Sequence, residues 1–288
     1  MTPLLVCCGL ATLDVVQVVD RVPAADQKVV ARSLDVRFGG PAANAAATAG
    51  ALGVRTVLVT ALGAGPVADL VRSGLLAAGV EVVDLLDGPG SPAVSTVLVT
   101  QATGERAVVS VNATGVTEVT KPDPAVLEGA TALLVDGHHL GAARVLARAA
   151  SARGIPVLLD GGSWKPGLDG LLAHVDHAVL SADFRLPDDG AAGDLLDRVA
   201  ALGPAVVAQS AGAGPVRVRV DGTVSVVQPP SVADVVDTLG AGDVLHGATA
   251  AALAQGRDIL AALHEGVLRA SESVRYPGAL GWAAAARG

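Results

Sequence analysis

Asp243 is the residue of this 288-residue sequence whose neighbours best equip it for chemistry. It closes the string Asp237-Thr238-Leu239-Gly240-Ala241-Gly242-Asp243, which runs into an Ala-rich stretch ending at Gly256, a residue type that stops helices. A loop of small residues entering a helix leaves the first amides unpaired, and the helix dipole draws phosphate to them. Glycine lets that phosphate come close to the backbone. The amides of Ala241, Gly242 and Asp243 are therefore expected to lie free. Bound phosphate repels a carboxylate at such a place unless it has a task, and taking the proton of an attacking hydroxyl is such a task. An acidic residue in a first helical turn also favours the dipole, so Gly-Ala-Gly-Asp alone fits an ordinary structural aspartate equally well.

A second loop of this kind lies at 38–53, FGGPAANAAATAGALG, where Gly39 and Gly40 turn into a helix that closes at Gly53. By itself it also fits a helix start packed tightly on a strand. Two further patterns imitate functional sites. Gly63, Gly65 and Ala68 follow a strand and precede Glu81 and Asp84 by about twenty residues, the spacing of a dinucleotide-binding fingerprint. His138 and His139 are adjacent, so on an extended strand end they point apart, and no third ligand follows at metal spacing.

The elements that must position these residues alternate in a βαβ rhythm. Strands are expected at 54–63, 80–86, 131–137, 155–162 and 177–183, and helical stretches at 66–79, 141–154 and 168–175. Such an order gives a parallel sheet with helices on both faces. Two segments break the rhythm. The stretch 10–38 alternates apolar and polar residues, and 91–112 reads as two strands around a turn at Ala102–Glu105; together they form a small sheet. A late hairpin at 215–227, turning at Asp221-Gly222, is expected at an edge of the large sheet.

Composition narrows the function classes. The chain is 51% hydrophobic, enough for one large core, and Asp, Arg, Gly or Pro interrupts every apolar run before the length of a membrane helix. The N-terminus has no basic region of a signal peptide, so a cytoplasmic location is expected. A net charge of −8 argues against nucleic acid or an anionic membrane as partner. Cys7 and Cys8, adjacent in a strand, point to opposite faces and make neither a mutual disulfide nor a metal pair.

The full Asp-Thr-Leu-Gly-Ala-Gly-Asp string before a long small-residue helix resembles the C-terminal signature of the ribokinase/PfkB carbohydrate kinase family. Gly39-Gly40 with Asn44 resembles its N-terminal Gly-Gly-x-x-x-Asn signature, in the right order and about two hundred residues earlier. The likeness covers nearly the whole chain and within the family is nearest to the ketohexokinases. It implies one domain, 1–288, with a ribokinase-like three-layer α/β/α sandwich, a mainly parallel central sheet and a small β-sheet lid from 10–38 and 91–112. It also implies transfer of the γ-phosphoryl group of ATP to a hydroxyl of a small carbohydrate, a ketose such as fructose among the candidates. A nucleoside kinase, or a sugar- or nucleotide-binding regulator of the same fold, is the alternative.

By this resemblance Asp243 is the base and Gly240, Ala241 and Gly242 form the anion hole. Asp14, Gly39, Gly40 and Asn44 meet the sugar, joined by Asp26, by Arg106 and Asn112 on the lid, and by His138 at a strand end. Thr238, Gln209, Gly212, Gly214 and Ser271 meet the nucleotide. Asp160 and Asp183 help order Mg2+ through water, and Asp237 lies near a monovalent cation such as K+. The partners implied are sugar, ATP and a second copy of the chain paired through the lid. Three departures stand out: Pro41 replaces a second amide side chain after Gly-Gly, and Ser181 and Phe184 occupy the Asn and Glu places of the magnesium-ordering Asn-x-x-Glu motif.

Overall fold

The computed structural model describes residues 2–111, 121–187 and 192–285. Its first strand, β1 (Leu4–Cys8), buries all five residues. A strand buried on both faces requires a layer on each side. The chain continues through β2 (Thr12–Val19), β3 (Ser33–Gly39), α1 (Pro41–Ala51), β4 (Arg55–Thr60), α2 (Pro66–Ala77), β5 (Val80–Asp84), β6 (Ala93–Thr100) and β7 (Arg106–Ser110). Next come β8 (Ala132–Val135), α3 (Leu140–Ala152), β9 (Val157–Gly161), the single turn α4 (Asp169–Leu172), β10 (His177–Leu180), α5 (Leu195–Ala200) and β11 (Val206–Ala211). The hairpin β12 (Gly214–Val220) and β13 (Thr223–Val227) precedes α6 (Ala241–Ala254), α7 (Ile259–Ser273) and α8 (Gly281–Ala285).

Nine strands form the large sheet in the order β13-β12-β11-β10-β9-β8-β1-β4-β5. From β11 to β5 every pairing is parallel, and β12 and β13 extend one edge antiparallel, as the Asp221-Gly222 turn implied. Cys7 and Cys8 enter different cores. Cys7 lies in the cluster with α1, α2, α6 and α7, and Cys8 in the cluster with α3, α4 and α5. The Ala-rich helices come unusually close: a Cβ on Gly247 of α6 would stand 2.5 Å from the Ala45 carbonyl of α1.

The small sheet, ordered β3-β2-β6-β7, leaves the body directly after β1 and returns through Gly39-Gly40 into α1. Its β2–β6 pairing is parallel and the other two are antiparallel. In this register Asp14 stands opposite Arg37 on β3 and Ser95 on β6, and Ser95 stands opposite Ser110 on β7. Four polar residues thus cross the lid in one row. The crevice below opens at the carboxyl ends of β1 and β8, where the connections diverge to opposite sides of the sheet and such folds place ligands.

Candidate active site

A cavity of about 490 Å³ lies between lid and body, lined among others by Asp14, Gly40, Asn44, Ser95, Gly240 and Asp243. Asp243 stands in the first turn of α6, and no side chain caps that helix. Gly240 takes a left-handed φ of 79° at its N-cap, and Ala241 donates its amide over 3.3 Å to the Thr238 carbonyl. Ala241 therefore differs from the expected open anion hole, because its N–H already has an acceptor. The amides of Gly242 and Asp243 reach no acceptor among the described residues. A Cβ on Gly242 would meet nothing within 4 Å, leaving an open approach for an anion.

Asn44 of α1 donates its side-chain amide to the Asp243 carboxylate at 2.6 Å, tying the two sequence motifs across 199 positions. Enclosure by protein pushes the Asp243 pKa up to about 7, the nearby Asp160 adds to the rise, and the Asn44 hydrogen bond opposes it. The residue is nevertheless only half-buried, since one side faces the cavity, and water there offsets part of the enclosure until a ligand displaces it. A carboxyl poised near neutrality suits proton removal at physiological pH.

Beneath Asp243 the imidazole of His246 is buried with two carbonyls against it: Nδ1 lies 2.6 Å from the Gly242 oxygen and Nε2 lies 3.0 Å from that of Val179. The same Nδ1 is 3.2 Å from the carboxylate of Asp160. Burial pushes the Asp160 carboxyl up to about 8, and Asp136 pushes it further the same way. Sequence reasoning passed over His246; its signal was its place three residues after Asp243, one helical turn below it.

On the sugar side the glycine pair has a steric reason. A Cβ on Gly39 would fall 1.9 Å from Asp14 Oδ2, and Gly40, at φ 95°, would push a Cβ to 2.5 Å from the Leu10 carbonyl. Thr12 donates its hydroxyl to Asp14 Oδ1 at 2.7 Å, holding that carboxylate toward the cavity. Asp136 lies just past β8 at the ligand end of the sheet. Its oxygens accept the amides of Leu10 (2.7 Å), Ala42 (3.2 Å) and His138 (2.8 Å). Burial alone would raise its pKa, but the His138 side chain and the amides of Leu10 and His138 outweigh burial and hold it at about 2.

Other expected site residues lie elsewhere. Asp26 is an exposed turn residue at φ 60°, outside the cavity lining. His138 turns Nδ1 to Asp136 at 3.3 Å and does not line the cavity. Arg106 and Thr238 meet in a second, open cleft with Val22, Thr100, Thr103, Gly104 and Glu105. Asn112 falls outside the described residues. Gln209 reaches the Ser181 carbonyl at 3.4 Å, while Gly212 lies in the turn from β11 to β12 and Gly214 opens β12. Ser271 returns its hydroxyl to Val267 within α7. The Gly63 turn is not a dinucleotide loop: Asp84 accepts its amide at 3.0 Å and that of Leu62 at 2.9 Å, so a carboxylate already fills it.

The metal expectations meet a poor donor set. Asp160 is buried against His246, Asp183 is exposed, Ser181 donates its hydroxyl to the Gly162 carbonyl at 2.8 Å, and Phe184 is fully buried. Among the described residues no three His, Cys, Asp or Glu side chains converge as a metal site. These side chains do not build a magnesium centre, and ATP phosphates and water would have to supply its ligands. Asp237 latches two loops, accepting the Leu239 and Gly278 amides at 2.8 Å each, so its oxygens are engaged by N–H donors rather than facing a cation.

Known proteins fit this architecture. The family described as pfkB family carbohydrate kinase matches residues 2–283. Ribokinase of Bacillus subtilis (strain 168) is 28% identical over 285 residues, covering 95% of this chain and 93% of its own length. Ribokinase of Arabidopsis thaliana, solved with ribose and ATP, superimposes with a TM-score of 0.78 at 22% identity, covering 98% and 96% of the two chains. Adenosine kinase of Sinorhizobium meliloti gives a TM-score of 0.76 at 19% identity, covering 100% and 99%. The fold is the ribokinase-like α/β fold with a large, mainly parallel sheet and a small second sheet. The expected nearness to ketohexokinases finds no counterpart in these relatives. No helix among the described residues is long and apolar enough to cross a membrane.

Proposed function

The chain belongs to the pfkB family of carbohydrate kinases, phosphotransferases with an alcohol as acceptor, and on that premise we propose that Asp243 is the general base of an ATP-dependent sugar kinase. The observation that carries this reading is the Asp243 carboxylate, held by Asn44 at a cavity wall beside the unpaired amides of Gly242 and Asp243. The acceptor lies between Asp14, Gly40 and Asn44, with the row Asp14-Ser95-Ser110 above it. Its hydroxyl oxygen forms a bond to the γ-phosphorus of ATP while the bond to the β,γ-bridging oxygen breaks, and ADP leaves. Asp243 takes the hydroxyl proton. The unpaired amides hold the charge on the phosphoryl oxygens, and the lid keeps water from competing as acceptor.

Ribose in the Arabidopsis neighbour and the adenosine kinase likeness favour a pentose-sized acceptor over a ketohexose. Exposed Leu34, Val36 and Val109 on the lid support pairing of two chains through it, testable by sedimentation at micromolar concentration. ADP release is to be measured with ATP, magnesium and a panel of pentoses, hexoses and nucleosides, with and without KCl. Asp243→Asn is expected to keep ATP affinity and lose about 10²- to 10⁴-fold in turnover. Near-full turnover in that variant refutes the role, and binding of a sugar without ADP release favours the regulator instead.

A further inference from the structure

Among the described residues lining the cavity, Arg37 is the one Lys or Arg. It stands at the end of the polar row that crosses the lid, directly opposite Asp14, with Ser95 and Ser110 beyond. Residues paired in this way hold their Cβ atoms about 5 Å apart. The Ser95 hydroxyl donates to that of Ser110 at 3.1 Å, so this end of the row suits sugar hydroxyls. The guanidinium end does not suit them equally well.

The Arg37 side chain is 31% exposed, and its ionic partner among the described residues is Asp35 at 3.0 Å, itself 57% exposed on the outer margin of the sheet. An exposed pair of that kind contributes little. A guanidinium has five N–H donors in a planar fork. One contact to Asp35 through Nη1 leaves the rest of the fork to the cavity. The group also lies over the backbone of the body, where a Cβ on Gly278 would stand 2.3 Å from Nη1. That position leaves room for a ligand oxygen against the lid but not for a bulky group beneath the arginine.

We infer that Arg37 selects the acceptor by binding a carboxylate it carries, so that the preferred substrate is a sugar acid whose hydroxyls meet Asp14 and Ser95. The planar fork takes both carboxylate oxygens, as a row of hydroxyls cannot. Asp14, directly opposite on β2, repels a second anionic group and accepts hydroxyl protons, which fixes the acid end of the molecule at Arg37 and its polyol end toward Asp243. This inference rests on the kinase reading above.

The test is a kcat/KM comparison of matched pairs, a neutral sugar against its aldonic or uronic acid, plus the corresponding sugar phosphates, for the wild type, Arg37→Lys and Arg37→Ala, each checked by thermal melting. The expected result is a preference for the acid that falls about 10- to 100-fold in Arg37→Ala, the usual worth of a hydrogen-bonded charge. The lysine variant is expected to recover part of it, with neutral sugars and the KM for ATP changing less than about fivefold. A rise confined to the KM for ATP overturns the inference, because the arginine then serves phosphate of the donor. A preference for sugar phosphates over acids overturns the carboxylate assignment. Turnover of neutral sugars with no acid used overturns it while leaving the kinase reading intact, and ADP release with no acceptor of any class overturns both.

Discussion

The two sheets spend their residues differently. In the large sheet β1, β8 and β9 bury every position, because helices cover both faces. In the small one β3 exposes its first four residues and β7 three of its five, since one face serves the cavity and much of the other meets no layer. Stability therefore resides in the body, and selectivity in the lid. A protein that must admit and release a small molecule keeps its low-stability element beside the site.

Substitutions can break that contrast. Leu134→Ala, fully buried on β8, is expected to cost about 2 to 5 kcal/mol in denaturant unfolding. A loss under 1 kcal/mol would mean that the body is less tightly packed than its burial indicates. Asp136→Asn, at the seam, cannot accept all three amides and is expected to cost about 2 kcal/mol at neutral pH. The wild-type carboxylate titrates near 2 when folded and near 3.8 when unfolded, so its stabilisation is complete above pH 4 to 5 and vanishes as pH falls toward 2. The gap between wild type and variant should close over that window in acid-unfolding curves.

A smaller effect should appear in activity. The base works deprotonated, so with the Asp243 pKa pushed up to about 7, kcat/KM is expected to fall about tenfold per pH unit below 7 and to level off above it. A flat profile between pH 5 and 7 would show that water in the open cavity restores an ordinary carboxylate. Smallest of all, Val109→Thr at 74% exposure on β7 should change the stability of the unpaired chain, measured at high dilution, by no more than about 0.5 kcal/mol. A larger loss that appears only at micromolar concentration is what the proposed pairing through the lid requires, and its absence counts against that pairing.

Much of this was legible in the residues. The βαβ alternation, the lid segments and the edge hairpin follow from period and turn chemistry, which are local. Asp243, Asn44, Gly39 and Gly40 were legible because motif and steric need coincide. What escaped was set by long-range pairing. Arg37 looked like any charged strand residue until the register put it opposite Asp14. His246 was hidden in an apolar helix, and Asp136 needed the amides of Leu10 and Ala42, about a hundred positions away, to show its purpose. Asp26 and Arg106 were placed by resemblance alone and lie outside the cavity lining, while the 209–214 loop, placed by resemblance at the nucleotide, connects β11 and β12.

The Gly39-Gly40 junction has one more implication. Asp14 rests against the first glycine, and the second leads into α1, whose first turn carries Asn44 to the Asp243 carboxylate of α6, so this junction is one of the places where the small sheet joins the body. A swing of the small sheet would carry Asp14 and Ser95 with it, while Asn44 on α1 and Asp243 on α6 would stay with the body. Grasping the acceptor and assembling the reactive geometry would then be one motion, and a molecule too short to reach from the lid row to Asp243 would be held without being committed.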